Sequence, residues 1–211
     1  MGLPNIIQYN LAAGANSTLL VNQSSAVATG AAFTLTTTIL GTVQRKVQFS
    51  TVADESSNKF TIVGLNGAGF PITDVVTGPN ASTTQSNLDF LTVTKITALN
   101  QTGGSVSVGS NSTGASLWQI VNSHVTPVNI ELGCVLQTGA ATFSIQYTYD
   151  DPNNLPPNVA APTAFNHPTL NSIATSADGP INDPIFAWRV AVTAGTGTVR
   201  VTGIQAGIGG P

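Results

Sequence analysis

Charge is what this sequence has least of: Asp, Glu, Lys and Arg together make up 7% of its 211 residues, against about 25% in ordinary soluble domains. Thr, Ser, Asn and Gln must keep its surface wet. Such a surface hydrogen-bonds well and repels its neighbours weakly, which suits a protein that spends its life packed against other molecules. Six basic and nine acidic residues leave a net charge of -3, and Arg45-Lys46 is the only adjacent basic pair. No phosphate-neutralising footprint exists, so direct binding of nucleic acid is not expected.

Cysteine is nearly absent too. Cys134 stands alone, which rules out an intrachain disulfide; it is expected as a small buried side chain on a strand. No apolar run is long enough to span a bilayer, and Met1-Gly2-Leu3-Pro4-Asn5 has neither the basic start nor the apolar stretch of a signal peptide. Synthesis in the cytoplasm without membrane insertion is the expectation. The Asn-x-Ser/Thr triplets at Asn16, Asn22, Asn80, Asn100 and Asn111 follow from composition and carry no glycosylation meaning without a secretory signal.

The residues that chemistry needs are equally sparse. His124 and His167 have no Cys or His at ligand spacing, so no zinc site is expected. His167, in Phe165-Asn166-His167-Pro168, is expected to serve a backbone group beside a turn. Asp150-Asp151-Pro152-Asn153-Asn154, with Asp178 and Asp183 further along, is the densest set of oxygen donors. It lacks the spacing of a calcium loop, and such residues before proline more often start turns. There is no Gly-x-Ser-x-Gly elbow, and Gly64-Leu65-Asn66-Gly67-Ala68-Gly69 lacks the Lys-Ser/Thr of a phosphate loop, so Asn66-Gly67 reads as a hairpin turn. No catalytic, cofactor-binding or metal residue is assigned, no cofactor is expected, and an enzyme is the least favoured class.

What is present is alternation. Phe143, Ile145, Tyr147 and Tyr149 share one face of a strand against Thr142, Ser144, Gln146 and Thr148, and Val128 to Leu136 alternates just before it. The link Gln137-Thr138-Gly139-Ala140 makes the two a hairpin. Further strands are expected at Phe33 to Leu40, Val43 to Val52, Lys59 to Leu65, Ile72 to Thr77, Phe90 to Leu99, Ser105 to Val108, Ile185 to Thr193 and Thr198 to Ile204. Small-residue turns at Thr102-Gly103-Gly104, Thr138-Gly139-Ala140 and Thr193 to Thr198 precede alternating strands, as hairpin chemistry would have it. With 41% hydrophobic residues and no helical period, the expected fold is all-β with little helix: an antiparallel sandwich or jelly-roll-like arrangement, as one domain or two packed β-subdomains. Trp118 and Trp188 sit among apolar strand residues and read as core anchors rather than sugar-stacking platforms.

Three segments are expected. Residues 1–30 form an N-terminal arm or edge segment, 31–112 a first β-rich portion and 113–211 a second, with Gly109-Ser110-Asn111-Ser112-Thr113-Gly114 as linker. In residues 150–184, Pro152, Pro156, Pro157, Pro162, Pro168, Pro180 and Pro184 exclude regular pairing and imply a long loop excursion.

Some phrases carry a resemblance. Phe60-Thr61-Ile62-Val63-Gly64-Leu65, Val75-Val76-Thr77-Gly78-Pro79-Asn80 and Phe90 to Ile96, then Gln146 to Asp151, Phe165 to Pro168, Ala177-Asp178-Gly179-Pro180 and Arg189 to Val199 with Gln205-Ala206-Gly207, resemble virion structural proteins of tailed bacteriophages. The resemblance implies a particle component made in the host cytoplasm and built into the virion in many copies, such as a capsid decoration or cement protein. Its partners would be the major capsid protein or other virion proteins, and it would assemble as a homotrimer or another cyclic oligomer. A tail, neck or fibre component of the particle is the alternative, and a carbohydrate-binding surface module the alternative from another class.

Overall fold

β-branched Thr, Val and Ile fill most segments between glycine-rich turns, and such residues pack well on a pleated surface and poorly in a helix. The computed structural model describes residues 5–12, 14, 16–22, 25–40, 43–126, 128–155, 161–205 and 208–209, and among them there is no helix. The strands begin with β1 (Asn5–Ala12), β2 (Asn16–Asn22), β3 (Gln44–Thr51), β4 (Lys59–Leu65), β5 (Pro71–Thr77), β6 (Thr83–Phe90), β7 (Thr92–Ala98) and β8 (Val106–Ala115). They continue with β9 (Gln119–Ile120), β10 (Val125–Thr126), β11 (Ile130–Thr138), β12 (Ala141–Thr148), β13 (Phe165–Asn166), β14 (Ala177–Ile181), β15 (Ala187–Gly195), β16 (Thr198–Gln205) and β17 (Ile208–Gly209). The pairings with a defined register are antiparallel. Two compact units result, a central one of Gly14–Gly114 and a terminal one of Met1–Ala13 with Ala115–Pro211.

In the central unit, the sheet β5-β4-β7 faces a layer in which β8, β3 and β6 are neighbours and β2 joins β8. Phe49 from β3 stacks on Phe60 from β4 at 4.8 Å, and Phe33 leans on Phe60 at 6.0 Å. Val47, Ile62, Phe90, Val93, Ile96, Val106 and Val108 complete a fully buried core. Burial of this kind contributes about 1.5–3 kcal/mol per large side chain. A buried carboxylate closes one end. Glu55 is 2% exposed; one oxygen accepts the Gly103 amide at 2.6 Å and the other the Asn58 side-chain amide at 3.2 Å. Asn58 in turn bonds both the amide and the carbonyl of Asn100.

Several expectations need correction here. Phe33 to Leu40 is not a strand: its ends bridge to β7 through Ala32 and Ile39, while Thr36 turns away to the carbonyls of Leu19 and Leu20. The segment is shared between two neighbours, so no continuous ladder forms. Conversely, the polar run Thr83–Phe90 forms β6, with the Ser86 hydroxyl accepting the Val47 amide where the β3 register slips. A side chain takes the place of a missing ladder bond there. The expected linker Gly109 to Gly114 lies inside β8. Its smallness serves close approach: a side chain on Gly109 would overlap the Asn16 carbonyl of β2, and buried Ser110 and Asn111 bond Asn16 and Gln85. Residues 1–30 do not act as one segment either. Leu11 is buried on β1, which edges a sheet of the terminal unit, whereas Leu20 and Val21 belong to the central core.

The terminal unit holds a sheet β1-β16-β11-β14 and a layer in which β13, β12 and β15 are neighbours and β9 joins β15. Trp188 on β15 lies so close to β16 that a Cβ on Gly203 would come within 2.6 Å of its ring. The expected hairpin of β11 with β12 does not form. β11 pairs with β16 from Ile130↔Gln205 to Thr138↔Thr198, and β12 pairs with β15 from Ala141↔Gly195 to Thr148↔Ala187. A two-stranded ribbon therefore runs along one sheet, bends, and continues in the other, as happens at the corners of β-sandwiches. Thr138-Gly139-Ala140 and Gly195-Thr196-Gly197 are the two strands of that bend. The Ala140 carbonyl accepts both the Thr196 and Gly197 amides, and side chains on Gly195 or Gly197 would overlap the Ala140 or Thr138 carbonyl. Thr102-Gly103-Gly104 also links strands of different sheets.

Nor is 150–184 wholly a loop. β13 and β14 fall within it, and β14 pairs with β11 even at Glu131↔Pro180. Proline is tolerated because β14 is an edge strand. The Pro180 carbonyl faces outward, away from β11, and accepts a bond from His167; the missing N–H faces the same way, so no ladder bond is lost. Residues 156–160, with Pro156 and Pro157, lie outside the described residues.

Candidate functional site

Strand β12 carries the alternation read from sequence, but its apolar face changes character along its length. Phe143 and Ile145 are fully buried, Tyr147 is half-buried, and Tyr149 just beyond the strand is 55% exposed. The polar face does not all meet water, since Ser144 and Thr148 are buried and Ser144 bonds Asn171 and the Ser172 amide.

Register places neighbours on that emerging face. Phe165 of β13 lies opposite Tyr147, and Trp188 of β15 lies opposite it on the other side. Cross-strand partners project to the same face, so Trp188, Tyr147 and Phe165 form a row from core to sheet edge. Tyr147 stacks with Phe165 at 5.8 Å and meets Tyr149 edge-on at 5.8 Å, while Tyr149 and Phe165 are 5.7 Å apart. Phe165 is 43% exposed. Three rings thus touch one another where the core face reaches solvent.

A pocket of about 340 Å³ opens beside them, lined by Tyr147, His167, Thr169, Ile181, Asn182 and Asp183 among others. Asn182 and Asp183 are exposed. Partial desolvation, the Tyr147 hydroxyl and the Asp183 carboxylate raise the Tyr149 phenol above its ordinary pKa.

His167 holds the pocket wall. Its Nδ1 accepts the Leu170 amide at 3.1 Å and the Thr169 amide at 3.3 Å, which leaves Nε2 to donate to the Pro180 carbonyl at 3.0 Å. The ring serves backbone groups, as its sequence context suggests. His124 lies elsewhere in the chain, exposed in a turn after Asn122.

On the opposite face of the same strands a polar chain runs parallel to the aromatic row. Asn166 accepts from Gln146 at 3.0 Å, Gln146 accepts from Arg189 Nε at 2.9 Å, and the guanidinium lies 4.6 Å over the Trp118 ring. Trp118 is thereby covered by a cation, and Trp188 is 1% exposed. Trp188 is the core anchor expected, whereas Trp118 is half-buried, outside the core, with the guanidinium over its ring.

The acidic cluster makes turns. Asp150 accepts the Thr163 amide at 2.7 Å and Asp151 the Asn153 amide at 2.9 Å. Asp178 sits in β14 opposite Gly133. Among the described residues no group of three or more His, Cys, Asp or Glu is placed to hold a metal ion, and no helix is long and apolar enough to cross a membrane. Cys134 is buried on β11, where burial and then the Asp178 carboxylate push its thiol up to about 12. It is a protonated packing group at neutral pH.

Sequence reasoning placed Tyr147 and Tyr149 on the apolar face and stopped there. The pairing of β13 was the missing information: a two-residue strand leaves no periodicity, so nothing in Phe165-Asn166 announces that Phe165 joins the tyrosines. No protein-family model matches the chain, and the search of curated proteins returns no match.

Proposed function

We propose that this chain is a non-enzymatic structural component of a tailed-phage virion, a decoration or cement protein that stabilises the capsid by bridging capsomers. The observation that carries this reading is the pairing of a charge-poor surface, 7% charged residues in all, with large apolar side chains left in water on both units. Val52 is 76% exposed, Ile6 62%, Leu99 59% and Ile39 58%. Weak electrostatic repulsion and scattered apolar contacts favour close packing among copies. Many small contacts on a symmetric lattice then add up through multivalency. The disulfide-free cores of both units are built from apolar side chains, which suits a mechanical role.

A protein that binds the assembled shell and not its separated parts shifts the equilibrium toward the shell. Adding it to purified undecorated shells is expected to raise their disruption temperature. Absence of both binding and shift removes the reading. A particle map separates the neighbouring alternative: hundreds of copies on the shell fit cement, and a few to a dozen at one vertex fit a neck, tail or fibre part.

A further inference from the structure

We propose that the aromatic end of β12 is a binding site for a neutral oligosaccharide, with Tyr149 and Phe165 as the stacking platform and Asp183 and Asn182 as the hydroxyl-binding groups. The inference does not depend on where the protein resides.

Sugars present two chemistries at once. One pyranose face is a patch of C–H groups that packs on an aromatic ring, and the rim is a ring of hydroxyls that need acceptors and donors. Both are here side by side. Phe165 and Tyr149 are 43% and 55% exposed, and each is backed by Tyr147. Next to them the pocket brings an exposed carboxylate and an exposed amide, Asp183 and Asn182, whose side chains have no hydrogen-bond partner among the described residues. A carboxylate accepts from two vicinal hydroxyls and an amide both donates and accepts, which is the pattern a sugar rim requires.

The platform is also stiff. Phe165 is held by the β13 pairing, Gln146 clamps Asn166 from the opposite face, and His167 ties the following turn to Pro180. Little ordering remains to be done on binding, so weak contacts count in full. The volume of about 340 Å³ falls at the lower end of small-ligand sites, roughly 300–1,000 Å³, enough for one ring inside the pocket and a second on the platform.

Charge selects among sugars. Asp183 lines the pocket and neither Lys nor Arg does, while Arg189 is engaged on the opposite face with Gln146 and Trp118. Uronic and sialic acids would meet the Asp183 carboxylate. A protein partner would have to strip water from Asp183 with no Lys or Arg in the pocket to pair it, which is costly; a neutral glycan instead supplies hydroxyl donors.

The test uses the full chain on an array of neutral malto-, cello-, chito-, galacto- and rhamno-oligosaccharides together with sialylated and uronate-containing ones, followed by calorimetric titration of any binder. Saturable binding of a neutral oligosaccharide is expected. Tyr149→Ala and Asp183→Asn, both at exposed positions, are expected to weaken it by roughly tenfold or more, with circular dichroism unchanged, while Val75→Ala in the other unit leaves it intact. Silence toward every neutral glycan at millimolar concentration, preference for the acidic ones, or binding that ignores both variants overturns the proposal. Shell binding that survives glycan silence leaves the virion reading standing while this one fails.

Discussion

The bend of the β11/β16 and β12/β15 ribbon depends on glycine for two separable reasons, and alanine substitutions take them apart. Gly133 lies in mid-strand on β11 with no positive φ and nothing within 4 Å of a built Cβ. Gly133→Ala is expected to be neutral or to stabilise by up to about 1 kcal/mol, through lower entropy of the unfolded chain. Gly197 has no positive φ, but its Cβ would overlap the Thr138 carbonyl; backbone cannot rotate away as a side chain can, so about 1–3 kcal/mol is expected. Gly195 has a φ of 100° and its Cβ would overlap the Ala140 carbonyl. Backbone strain of about 1–2 kcal/mol then adds to the steric cost, for a loss of about 2–5 kcal/mol. The sum is a range because neighbouring costs do not add cleanly. Urea unfolding read by tryptophan fluorescence is the assay, since Trp118 and Trp188 both lie in this unit and Trp188 is buried. If Gly195→Ala is as stable as Gly133→Ala, the tight bend is not what those glycines serve.

Other outcomes follow from the buried groups. Glu55→Ala strips the buried Asn58 side-chain amide and the part-buried Gly103 amide of an acceptor and is expected to cost about 1–3 kcal/mol in the central unit; Glu55→Gln, which keeps one acceptor oxygen, should cost less, and equal losses in chemical denaturation would contradict the clasp. Cys134 should be inert to a disulfide-exchange reagent in native buffer and react only in denaturant. Burial pushes its folded pKa to about 12, above the ordinary thiol value of 9.0, so its contribution to stability is fully present below about pH 9 and is lost as pH rises toward 12. A Cys134→Ser variant with the same alkaline decline would show that another group is responsible. His167→Ala leaves the Leu170 and Thr169 amides without their Nδ1 acceptor and is expected to cost about 1–3 kcal/mol, with faster hydrogen exchange at Leu170; unchanged exchange there would count against the ring as the holder of the turn.

Period-two alternation and scarcity of charge were enough to read the all-β class, the strand at Lys59–Leu65, a strand from Ala141 to Asp150 that ends two residues sooner at Thr148, and the shared face of Phe143 and Ile145, which is buried. These are local properties: a side chain's face on a strand depends only on its place in the alternation. Which strands pair is not local. Gly139, with its φ of 62°, reads in sequence as a hairpin turn, and only the proximity of Gly197 makes it half of a bend between sheets. Gly109 to Gly114 reads as linker until β2 is seen to press against it. The same holds for the aromatic platform. Tyr147 and Tyr149 share a face by alternation alone, but burial ends between them, and Phe165, the pocket and Asp183 arrive from parts of the chain that only tertiary pairing brings together. Alternation along one strand thus settled which residues face the same way, and contacts between distant strands decided which of those faces became core and which became surface.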